Sequence, residues 1–403
     1  MIRVLHIVPG KVFGGVENTL VTIARFRDLC PAMVSEFAVC FQSRLSQELD
    51  SLGVPVHILG EVRVRSPLTV WRARRRLRDL LRRERFDVVV CHMPWVQAIF
   101  GPVARSKGVA LAFRVHGPSD GRHWTERWAA LTRPDLAVCV SQFVATDLAR
   151  IYPNTPTEVV YNPVPPVKLL DRPGRLAVRA EVNTSEDAVV IIQACRLEPG
   201  KGHRVCLDAL GLLRDLPDWE CWQIGGPQRS SEHKYFEGLR ERATRLGIEE
   251  RVHFWGQRSD VPRLLAAADI YCQPNDTFSE GFGIVFLEAM RAGLPVVTTR
   301  IGAASEVVDD RCGFLLSPGN VSATSVTLER LIRDPALRTK LAVGGLLRAD
   351  AEFGPAIQIP RLCKALCKAI PGFRIPSDFE QRLPKEKLSK ADSVSSARAF
   401  RSD

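Results

Sequence analysis

The sequence has no long apolar segment and no paired-cysteine motif. No uninterrupted apolar run in its 403 residues reaches the ~18 residues of a membrane-spanning helix. The first ten residues, interrupted by Arg3 and His6, fit a strand better than a signal peptide. The cysteines number 11, an odd count, and none forms a C-x-x-C pair. We therefore expect a cytoplasmic protein whose cysteines are small core residues, and neither a membrane-spanning nor a disulfide-stapled one.

Two ligand-binding motifs are also missing. The loop that contains Gly10, Gly14 and Gly15 lacks the G-x-G-x-x-G register, which counts against a dinucleotide oxidoreductase. No D-x-D metal motif is present. Cys363 and Cys367 stand one helical turn apart, but zinc normally takes four ligands and no second pair accompanies them, so packing explains them better. We expect neither a nicotinamide cofactor nor an obligatory metal.

The length and the strand pattern predict two α/β domains. With 45% hydrophobic residues the chain can bury two cores, at ~150 residues per domain. Strand-like runs alternate with helical ones, which predicts parallel sheets covered by helices. The proline-rich stretch 162–167, followed by 171–174, is the predicted linker. The predicted strands are 2–8, 36–41, 55–59, 86–91, 111–115, 135–140 and 158–161, then 189–194, 219–224, 252–255, 270–273, 295–298 and 313–316.

The most informative motif is EGFGIVFLE at residues 280–288. Glu280 and Glu288 bracket a turn with Gly281 and Gly283 and the start of an apolar helix. Glycine lets the backbone approach a ligand closely, and the N–H groups of a first helical turn bind phosphate. Carboxylates accept strongly from hydroxyl pairs. The pattern predicts a site for a sugar and a ribose with phosphates between them; a helix with solvated glutamates is the alternative.

Two cations stand upstream of this motif. Arg196 and Lys201 follow the predicted strand 189–194 and precede a helix. Open parallel sheets bind ligands at the carboxyl ends of their strands. An arginine fork and a lysine point charge at that edge can neutralise the charge that develops on a departing nucleotide diphosphate. The R-x4-K spacing is weak alone, because surface cations are usually solvated, but beside residues 280–288 it predicts phosphate binding.

Two histidines and two tryptophans are further candidates. His92 and His116 each end a predicted strand, so both are expected at the ligand-facing edge of the first sheet. A histidine at a strand end is more often a structural hydrogen-bonding residue than a catalyst. In the segment 118–128, Trp124 and Trp128 could stack on the sugar rings of an acceptor, or the segment could equally be the entry to a packed helix.

These motifs resemble those of the retaining GT-B glycosyltransferases of family 4, also described as glycosyl transferases group 1. The resemblance is carried by EGFGIVFLEAMRAGLPVV at 280–297, by the Arg196 and Lys201 spacing and by the Gly-Gly loop. It implies a GT-B fold, in which two Rossmann-like parallel-sheet domains face a central cleft.

The resemblance also implies the domain roles. Residues 1–163 would form the acceptor domain and residues 164–354 the nucleotide-sugar donor domain. A helix at 355–372 would cross back to the first domain. The charged, serine-rich residues 373–403 are expected to form a disordered tail.

The resemblance assigns roles to individual residues. Glu280 would contact the transferred sugar, Glu288 the ribose, and His116 the sugar and the acceptor hydroxyl. The implied catalytic residues are His116, Glu280, Arg196 and Lys201. The implied donor-binding residues are Gly14, Gly15, Arg196, Lys201, Glu280, Gly281, Phe282, Gly283, Ile284, Val285 and Glu288. No general base is assigned, because in such enzymes the leaving phosphate itself assists the acceptor.

The function implied is transfer of a sugar, with retention, from a nucleotide diphosphate to a hydroxyl of a glycan or lipid-linked acceptor. The setting would be polysaccharide or cell-envelope glycan biosynthesis, and a UDP-sugar is the expected donor. The sequence departs from the family pattern at two places, which leaves donor preference open. It has Pro274-Asn275 for the usual Pro-Ser, and residues 162–165 replace the usual Asn-Gly-Val-Asp. A nucleotide-sugar epimerase of the same fold and a noncatalytic nucleotide-sugar-binding subunit are the alternatives.

A basic segment suggests a further partner. The net charge is +11, and eight arginines crowd residues Arg72 to Arg85 against only Asp79 and Glu84. On a helix, Ala73, Leu77, Leu80 and Leu81 would face the core and leave the arginines outside. Such a face suits anionic lipid headgroups at the inner side of a membrane, although a solvated face without a partner is the alternative. Nucleic acid is not expected, because no nucleic-acid-binding module is recognised.

Overall fold

The structure, a computed structural model, describes residues 1–373 except residue 228, and the chain divides into two compact units. The first unit contains Met1–Pro165 together with the described residues from Phe353 onward, and the second contains Pro166–Glu352. The tail predicted at 373–403 lies outside the described residues apart from Phe373, which packs against the first core. The chain therefore returns to the first unit after it has built the second.

The first unit is built on a parallel sheet of seven strands. The strands are β1 (Ile2–Val8), β2 (Met33–Val39), β3 (Val56–Ile58), β4 (Val88–His92), β5 (Ala110–Val115), β6 (Leu136–Cys139) and β7 (Thr157–Val159). Their order is β3-β2-β1-β4-β5-β6-β7, and each pairing is parallel. The direction of winding reverses between β1 and β4, which makes their carboxyl ends the edge where ligands bind in open α/β sheets.

Helices cover this sheet. They are α1 (Gly15–Arg25), α2 (Arg44–Ser51), α3 (Pro67–Arg83), α4 (Pro94–Ser106), α5 (Trp124–Ala130) and α6 (Gln142–Leu148), with a 3-10 turn at Arg27–Leu29. Ser141 caps α6 by accepting from the Val144 amide at 3.1 Å. This bond satisfies one of the free N–H groups that every helix start exposes.

The second unit repeats the design with six parallel strands. They are β8 (Val189–Ala194), β9 (Trp219–Ile224), β10 (Val252–Gly256), β11 (Ile270–Gln273), β12 (Val296–Thr299) and β13 (Gly313–Leu316), in the order β10-β9-β8-β11-β12-β13. The helices are α7 (Arg172–Glu181), α8 (His203–Gly211), α9 (Ser230–Leu246), α10 (Val261–Ala267), α11 (Ile284–Arg291), α12 (Ala304–Val307), α13 (Val321–Arg333) and α14 (Pro335–Phe353), with a 3-10 turn at Glu249–Arg251. Here the winding reverses between β8 and β11.

The last described helix, α15 (Pro355–Ala369), completes the first core. Its buried side chains Ile359, Leu362, Cys363 and Leu366 pack in one cluster with alternate residues of β1, β2, β4, β5 and β6. The alternation follows from the period of two in a strand, and the near-continuous apolar sequence of these strands is typical of a parallel sheet covered on both faces. Cys363 is thus a packing residue of the core.

Part of the predicted linker is helical. Residues 171–174 start α7, because the Asp171 carboxylate accepts from the Gly174 amide at 2.9 Å and Pro173 lies in the first turn. Aspartate at the N-cap followed by proline is a strong helix-start signal, which the linker interpretation of these residues overlooked. The prediction that 171–174 belong to a linker is therefore wrong.

The basic helix α3 buries an apolar stripe, with one exception to the predicted pattern. Ala73, Leu77 and Leu80 are buried, whereas Leu81 is only half-buried. Arg74 is not on the open face, since its guanidinium donates to the carbonyl of Ile99 at 2.8 Å. No helix in the part of the chain that the structure describes is both long and apolar enough to cross a membrane.

Candidate functional site

The loops that follow β8 and β11 form the polar cluster of the second unit. These strands are direct neighbours, with Ile270 paired to Ile191 and Tyr271 to Ile192. The winding of the sheet reverses between them, so the loops at their carboxyl ends diverge and leave room for a ligand. The loop after β8 carries Lys201, and the loop after β11 carries Glu280.

Lys201 and Glu280 form a largely buried ion pair. The Lys201 Nζ lies 2.5 Å from the Glu280 Oε1, with side chains only 7% and 13% exposed. The same carboxylate oxygen accepts from the Gln273 Nε2 at 3.0 Å. The ring of Phe278 lies 3.6 Å from the Lys201 Nζ, close enough for a cation–π contact. The ammonium and the carboxylate are therefore held in fixed positions at the edge of the sheet.

Glycines allow the two loops to pack backbone against backbone. Gly202, with a φ of +78°, precedes α8, and a Cβ at this position would overlap the Pro274 carbonyl. On the other side of the cluster, the Glu280 carbonyl accepts from the Ala303 amide at 2.9 Å. A side chain at Gly202 would push the loops apart, so the ion pair depends on glycine there.

The turn at 281–283 leads directly into α11. Gly283 caps this helix in the left-handed region with a φ of +84°, and Phe282 is buried beside it. Ile284 and Val285 form the first turn, and Glu288 lies one turn further along α11. The first turn of a helix presents N–H groups and a partial positive charge, which suits a phosphate.

Tyr271 lies near both carboxylates of the motif. Burial raises the pKa of the Tyr271 hydroxyl well above its usual value, and the nearby charges of Glu280 and Glu288 raise it further. The Tyr271 hydroxyl donates to the Gln273 Oε1 at 2.6 Å, and Gln273 in turn donates to Glu280. The structure therefore adds Gln273 and Phe278, which the sequence analysis missed, to the residues around Lys201 and Glu280.

Arg196 has a different environment from Lys201. Its Nη1 lies 2.8 Å from the Glu198 Oε1, and its side chain is 58% exposed.

Gln273 could have been identified from the sequence. Its neutral amide gives no charge signal, but it is the last residue of a strand that ends in the candidate site.

Gly14 and Gly15 lie at the start of α1 in the first unit. Gly14 is the N-cap in extended conformation, and Gly15 is the first helical residue. The Gly14 amide donates to the Glu17 Oε2 at 3.0 Å, and burial raises the pKa of the Glu17 carboxyl. One N–H group at this helix start is thus already bound by the protein.

Three histidines form a hydrogen-bonded line across neighbouring strands of the first sheet. The Nδ1 of His6 lies 3.1 Å from the Nε2 of His92, and the Nδ1 of His92 lies 2.9 Å from the Nε2 of His116. His6 and His92 are fully buried, and His116 is partly exposed just after β5. The sequence predicted the last two at the sheet edge, but it gave no reason to connect His6, in the middle of β1, to them.

A buried arginine lies beside this line. Arg114 is fully buried on β5 and donates to the Asn162 Oδ1 at 3.0 Å. Burial, followed by the charge of Arg114, lowers the pKa of His6 to about 3. Burial and the same charge hold the pKa of His116 well below its usual value, and for His92 the neighbouring His116 and His6 add to the effect. All three imidazoles are therefore neutral at physiological pH.

Trp124 and Trp128 stack on each other in α5. Their ring centroids are 6.1 Å apart with an interplanar angle of 14°, and Trp124 is 45% exposed. The pair stacks within a helix that begins at Trp124, and its contact with the sugar rings of an acceptor stays a prediction.

Two family models match the chain, one in each half. The model described as Glycosyltransferase Family 4 matches residues 13–168, and the model described as Glycosyl transferases group 1 matches residues 175–345. The second match contains every residue of the polar cluster of the second unit.

Curated relatives and solved structures agree with the models. A D-inositol 3-phosphate glycosyltransferase of Nocardioides sp. is 28% identical over 309 residues, 68% of this chain and 66% of that protein. A GDP-mannose-dependent alpha-(1-6)-phosphatidylinositol monomannoside mannosyltransferase of Mycolicibacterium smegmatis is 29% identical over 62% of this chain and 68% of that protein. The chain thus spans about two thirds of the length of these relatives.

Anabaena HepE, solved in complex with UDP and glucose, superposes with a TM-score of 0.78 over 91% of this chain and 99% of HepE, at 22% identity. At that identity the likeness concerns the fold, and it confirms the predicted GT-B class with two Rossmann-like parallel-sheet domains.

Proposed function

The chain belongs to the group 1, family 4 glycosyltransferases, and on that premise we propose that it transfers a sugar from a nucleotide diphosphate to a hydroxyl of an acceptor. The transfer retains the configuration of the anomeric carbon, and the acceptor is a glycan or a lipid-linked saccharide. The mannosyltransferase relative supports this acceptor class, since its name refers to a phosphatidylinositol monomannoside.

The observation that carries the proposal is the Lys201–Glu280 pair at the switch point of the second sheet, next to the first turn of α11. The free energy of desolvation of a buried ion pair roughly cancels the attraction between its charges, so such a pair is weak evidence for a role in stability. Its place at a sheet edge therefore favours a binding role. The Lys201 ammonium has three donors and can bind a phosphate oxygen while it keeps Glu280. Glu280 keeps acceptor capacity for a sugar hydroxyl.

In the proposed mechanism the second unit holds the donor. The amides of the turn and of the first turn of α11, from Gly281 to Val285, bind the sugar and the diphosphate, and Glu288 accepts from the ribose hydroxyls. Lys201 and Arg196 oppose the charge that grows on the departing diphosphate, where fixed cations lower the barrier most. Arg196 turns from Glu198 to the phosphates when the donor binds, which its exposed side chain allows.

The first unit contributes the acceptor side of the proposed reaction. His116 hydrogen-bonds the sugar and the acceptor hydroxyl, and Gly14 and Gly15 approach the phosphates. No side chain is assigned as a general base, and the leaving phosphate takes the proton of the acceptor hydroxyl.

We also propose that turnover needs no metal ion, because Lys201, Arg196 and the helix amides already oppose the diphosphate charge. Turnover measured with and without EDTA tests this statement. Loss of activity in EDTA, restored by Mg²⁺ or Mn²⁺, would contradict it.

The donor nucleotide is proposed to be UDP or GDP. UDP is supported by the HepE complex with UDP-glucose, and GDP by the mannosyltransferase relative whose name contains GDP-mannose. Thermal stabilisation by UDP-, GDP- and ADP-sugars distinguishes them. A donor at 100-fold its dissociation constant should add roughly 2.7 kcal/mol to the free energy of unfolding.

The control variants are matched in chemistry. Glu288→Gln should abolish the stabilisation by the preferred donor, whereas Glu241→Gln, an exposed position on α9, should leave it unchanged. Stabilisation that survives Glu288→Gln would show that the donor binds elsewhere, and no stabilisation by any nucleotide sugar would count against the proposed donor site.

Product analysis separates transfer from the alternatives. Transfer yields a glycoside, and its anomeric proton coupling reports whether the configuration of the donor is kept. Conversion of the donor without acceptor into an epimeric free sugar would identify an epimerase. Donor binding without turnover on inositol phosphates, lipid-linked saccharides or glycans would identify a noncatalytic subunit. Glu280→Gln should lower kcat by about 10²- to 10³-fold, as loss of one transition-state contact does.

We propose that the enzyme works in the cytoplasm with α3 against the inner face of a membrane. Arginines 72, 75, 76, 82 and 83 are exposed on this helix, and the apolar side chains of Leu68 and Trp71 are exposed at its start. Exposed arginines beside a tryptophan and a leucine match the charge and the interfacial layer of an anionic bilayer.

A further inference from the structure

Neutral buried side chains connect the end of β11 to Glu280. Gln273, the last residue of β11, is fully buried. Its Nε2 donates to the Asn275 Oδ1 and to the Glu280 Oε1, in both cases at 3.0 Å. Its Oε1 accepts from the Tyr271 hydroxyl at 2.6 Å. The amide of Gln273 therefore has both of its N–H groups and its carbonyl bound within the protein.

The partners of Gln273 fix the orientation of its amide. The Glu280 carboxylate, paired with Lys201, can only accept hydrogen bonds. A turned amide would place its own oxygen against that carboxylate, so two acceptors would face each other. The side chain of Gln273 is therefore a donor to Glu280, and the Tyr271 hydroxyl donates to its other end.

Hydrogen bonds from β12 anchor the same segment. The Thr298 hydroxyl donates to the Gln273 carbonyl at 2.9 Å, and the Thr299 hydroxyl donates to the Asn275 carbonyl at 2.6 Å. The Asn275 Nδ2 donates to the Phe278 carbonyl at 3.2 Å. Both threonines and Asn275 are buried. A shift of Gln273 would break several buried hydrogen bonds at once, so its amide is a rigid support.

Gln273 and Lys201 contact the same oxygen of Glu280. The Lys201 Nζ at 2.5 Å and the Gln273 Nε2 at 3.0 Å both lie against Oε1. Among the described residues Oε2 has no hydrogen-bond partner, and it does not belong to the buried polar atoms that lack one. The exposed 13% of the Glu280 side chain therefore includes Oε2, which a ligand can reach.

We propose that Gln273 is a positioning residue, which binds Oε1 of Glu280 and so directs Oε2 to a hydroxyl of the donor sugar. The last torsion of a glutamate is broad, so a carboxylate held by Lys201 alone could rotate about it. A second donor on the rigid end of β11 holds the plane of the carboxylate. Because this donor is neutral, it adds no charge beside the Lys201 ammonium.

The sugar contact rests on the proposed function, and binding to the full-length protein tests it. Gln273→Met keeps a side chain of similar volume and removes both N–H donors. We expect about 10-fold weaker binding of UDP-glucose or GDP-mannose, whichever the wild type prefers, for the loss of one hydrogen bond to a charged group. Binding of UDP or GDP alone should not change, because Glu280 faces the sugar. Equal weakening of nucleotide and nucleotide sugar, or no weakening of either, would overturn the proposal.

The matched control is Gln223→Met on β9 of the same sheet. Gln223 is also buried, but its Nε2 lies 3.3 Å from the Cys221 Sγ and not beside a carboxylate. This variant removes a buried amide and should leave the affinities for nucleotide and nucleotide sugar unchanged. A loss for the nucleotide sugar equal to that in Gln273→Met would assign the effect to a general disturbance of the sheet and contradict the proposal.

A double-mutant cycle separates positioning from packing. Gln273→Met should lower kcat/KM about 10- to 100-fold when Glu280 is present. In the Glu280→Ala background it should have little effect, since the side chain through which Gln273 acts is gone. Equal losses in the two backgrounds would assign Gln273 to packing alone.

Spectra of the side-chain amide test the contact without substrate. In the protein with ¹⁵N-labelled glutamine, the signal that is missing from Gln273→Met identifies the Gln273 Nε2. We expect its protons to exchange slowly with water in the wild type and faster in Glu280→Ala, because one acceptor is lost and the site opens. Equal exchange in the two proteins would refute the contact. If the wild type binds no nucleotide sugar, the proposed function fails, and this spectrum still reports whether Gln273 holds Glu280.

Discussion

The two units bury polar side chains in different forms, as an ion pair in the second unit and as neutral rings in the first. In the second unit, Lys201 and Glu280 are both ionised partners of a largely buried pair, with Gln273 as a further donor to the carboxylate. In the first unit, His6 and His92 are buried and His116 is half-buried, and the three neutral rings hydrogen-bond one another. Both clusters lie at or near the carboxyl ends of adjacent parallel strands.

The difference shows what each cluster can supply. An ion pair keeps full charges available at the sheet edge for a phosphate and a sugar, at the expense of desolvation. A line of neutral histidines supplies a directional hydrogen bond and no net charge. Its hydrogen bonds therefore depend on the protonation state of the rings and not on a counterion. The two clusters should therefore respond to different perturbations.

The largest effect is expected when the ion pair is broken. Lys201→Met leaves Glu280 buried without its cation and should destabilise the second unit by about 3–5 kcal/mol. The double variant Lys201→Met/Glu280→Gln should cost less than the sum of its single variants. Hydrogen exchange of peptides from the second unit measures the destabilisation in the single and the double variants. Peptides from the first unit serve as the internal control. Additive losses would mean that the two side chains do not stabilise each other.

Mild acid should act on the first unit instead. Folding lowers the pKa of His6 to about 3 and holds those of His92 and His116 well below 6.5, so the folded state binds fewer protons than the unfolded state. Their stabilisation is present above pH ~6.5 and is lost as the pH falls, at about 1.4 kcal/mol per histidine per pH unit. The first unit should therefore lose about 4 kcal/mol per pH unit below pH ~6.

The second unit provides the comparison for this acid effect. Among its described residues, one histidine has a strongly lowered pKa, His203 at about 3, so this unit should lose about a third as much stability. Glu17, whose pKa burial raises, offsets a part of the effect in the first unit. Pulse proteolysis at pH 7 and pH 5 measures how much stability each unit loses in acid, and His6→Phe should reduce the loss in the first unit. Equal acid sensitivity of both units would contradict the neutral histidine line.

A smaller effect is expected from the glycine that lets the two loops of the second unit meet. Gly202→Ala forces a side chain into the left-handed region, at about 1–2 kcal/mol, and adds a clash with Pro274. It should weaken donor binding together with stability. Gly238→Ala, in the middle of α9 with open space around it, is the control and should raise stability by about 0.5–1 kcal/mol. Unaltered donor binding in Gly202→Ala would separate the loop packing from the site.

The smallest effect concerns the surface of α3. Arg75→Gln should weaken binding to phosphatidylserine vesicles by about 1 kcal/mol, or roughly fivefold, because one basic residue near the bilayer is lost. Arg333→Gln, which removes an equally exposed arginine from the second unit, should have no effect. Equal losses in the two variants would indicate attraction by net charge without a specific membrane-facing helix.

Most of the fold could be predicted from the sequence, because buried parallel strands are short apolar runs between helices. All the predicted strands are present, and those at 2–8, 189–194, 219–224, 270–273 and 313–316 have the predicted bounds. β2 begins at Met33, three residues before the predicted start, and its Glu36 pairs with Arg3 of β1 at 2.5 Å. An ion pair between a half-buried arginine and a buried carboxylate on two different strands cannot be recognised from one strand alone.

The site was only partly predictable for a similar reason. Glu280, Glu288 and Lys201 stand in motifs whose spacing along the chain already implies a turn and a helix start. The bond between His6 and His92 joins residues 86 positions apart, and a single histidine in a strand looks like an interruption of its apolar pattern. Gln273 carries no charge, so its donation to Glu280 becomes visible only when the two loops meet.

The position of α15 in the first core has a consequence for synthesis of the chain on the ribosome. The strands of the first unit are complete by Pro165, yet the helix that fills their core ends at Ala369. At ~5–20 residues per second, the intervening roughly 200 residues take on the order of 10–40 s to emerge. During that time the second unit can complete its fold while the apolar face of the first sheet is still without its last helix. A chaperone that binds exposed apolar surface should therefore associate with nascent chains that end between the two positions and leave once α15 has docked.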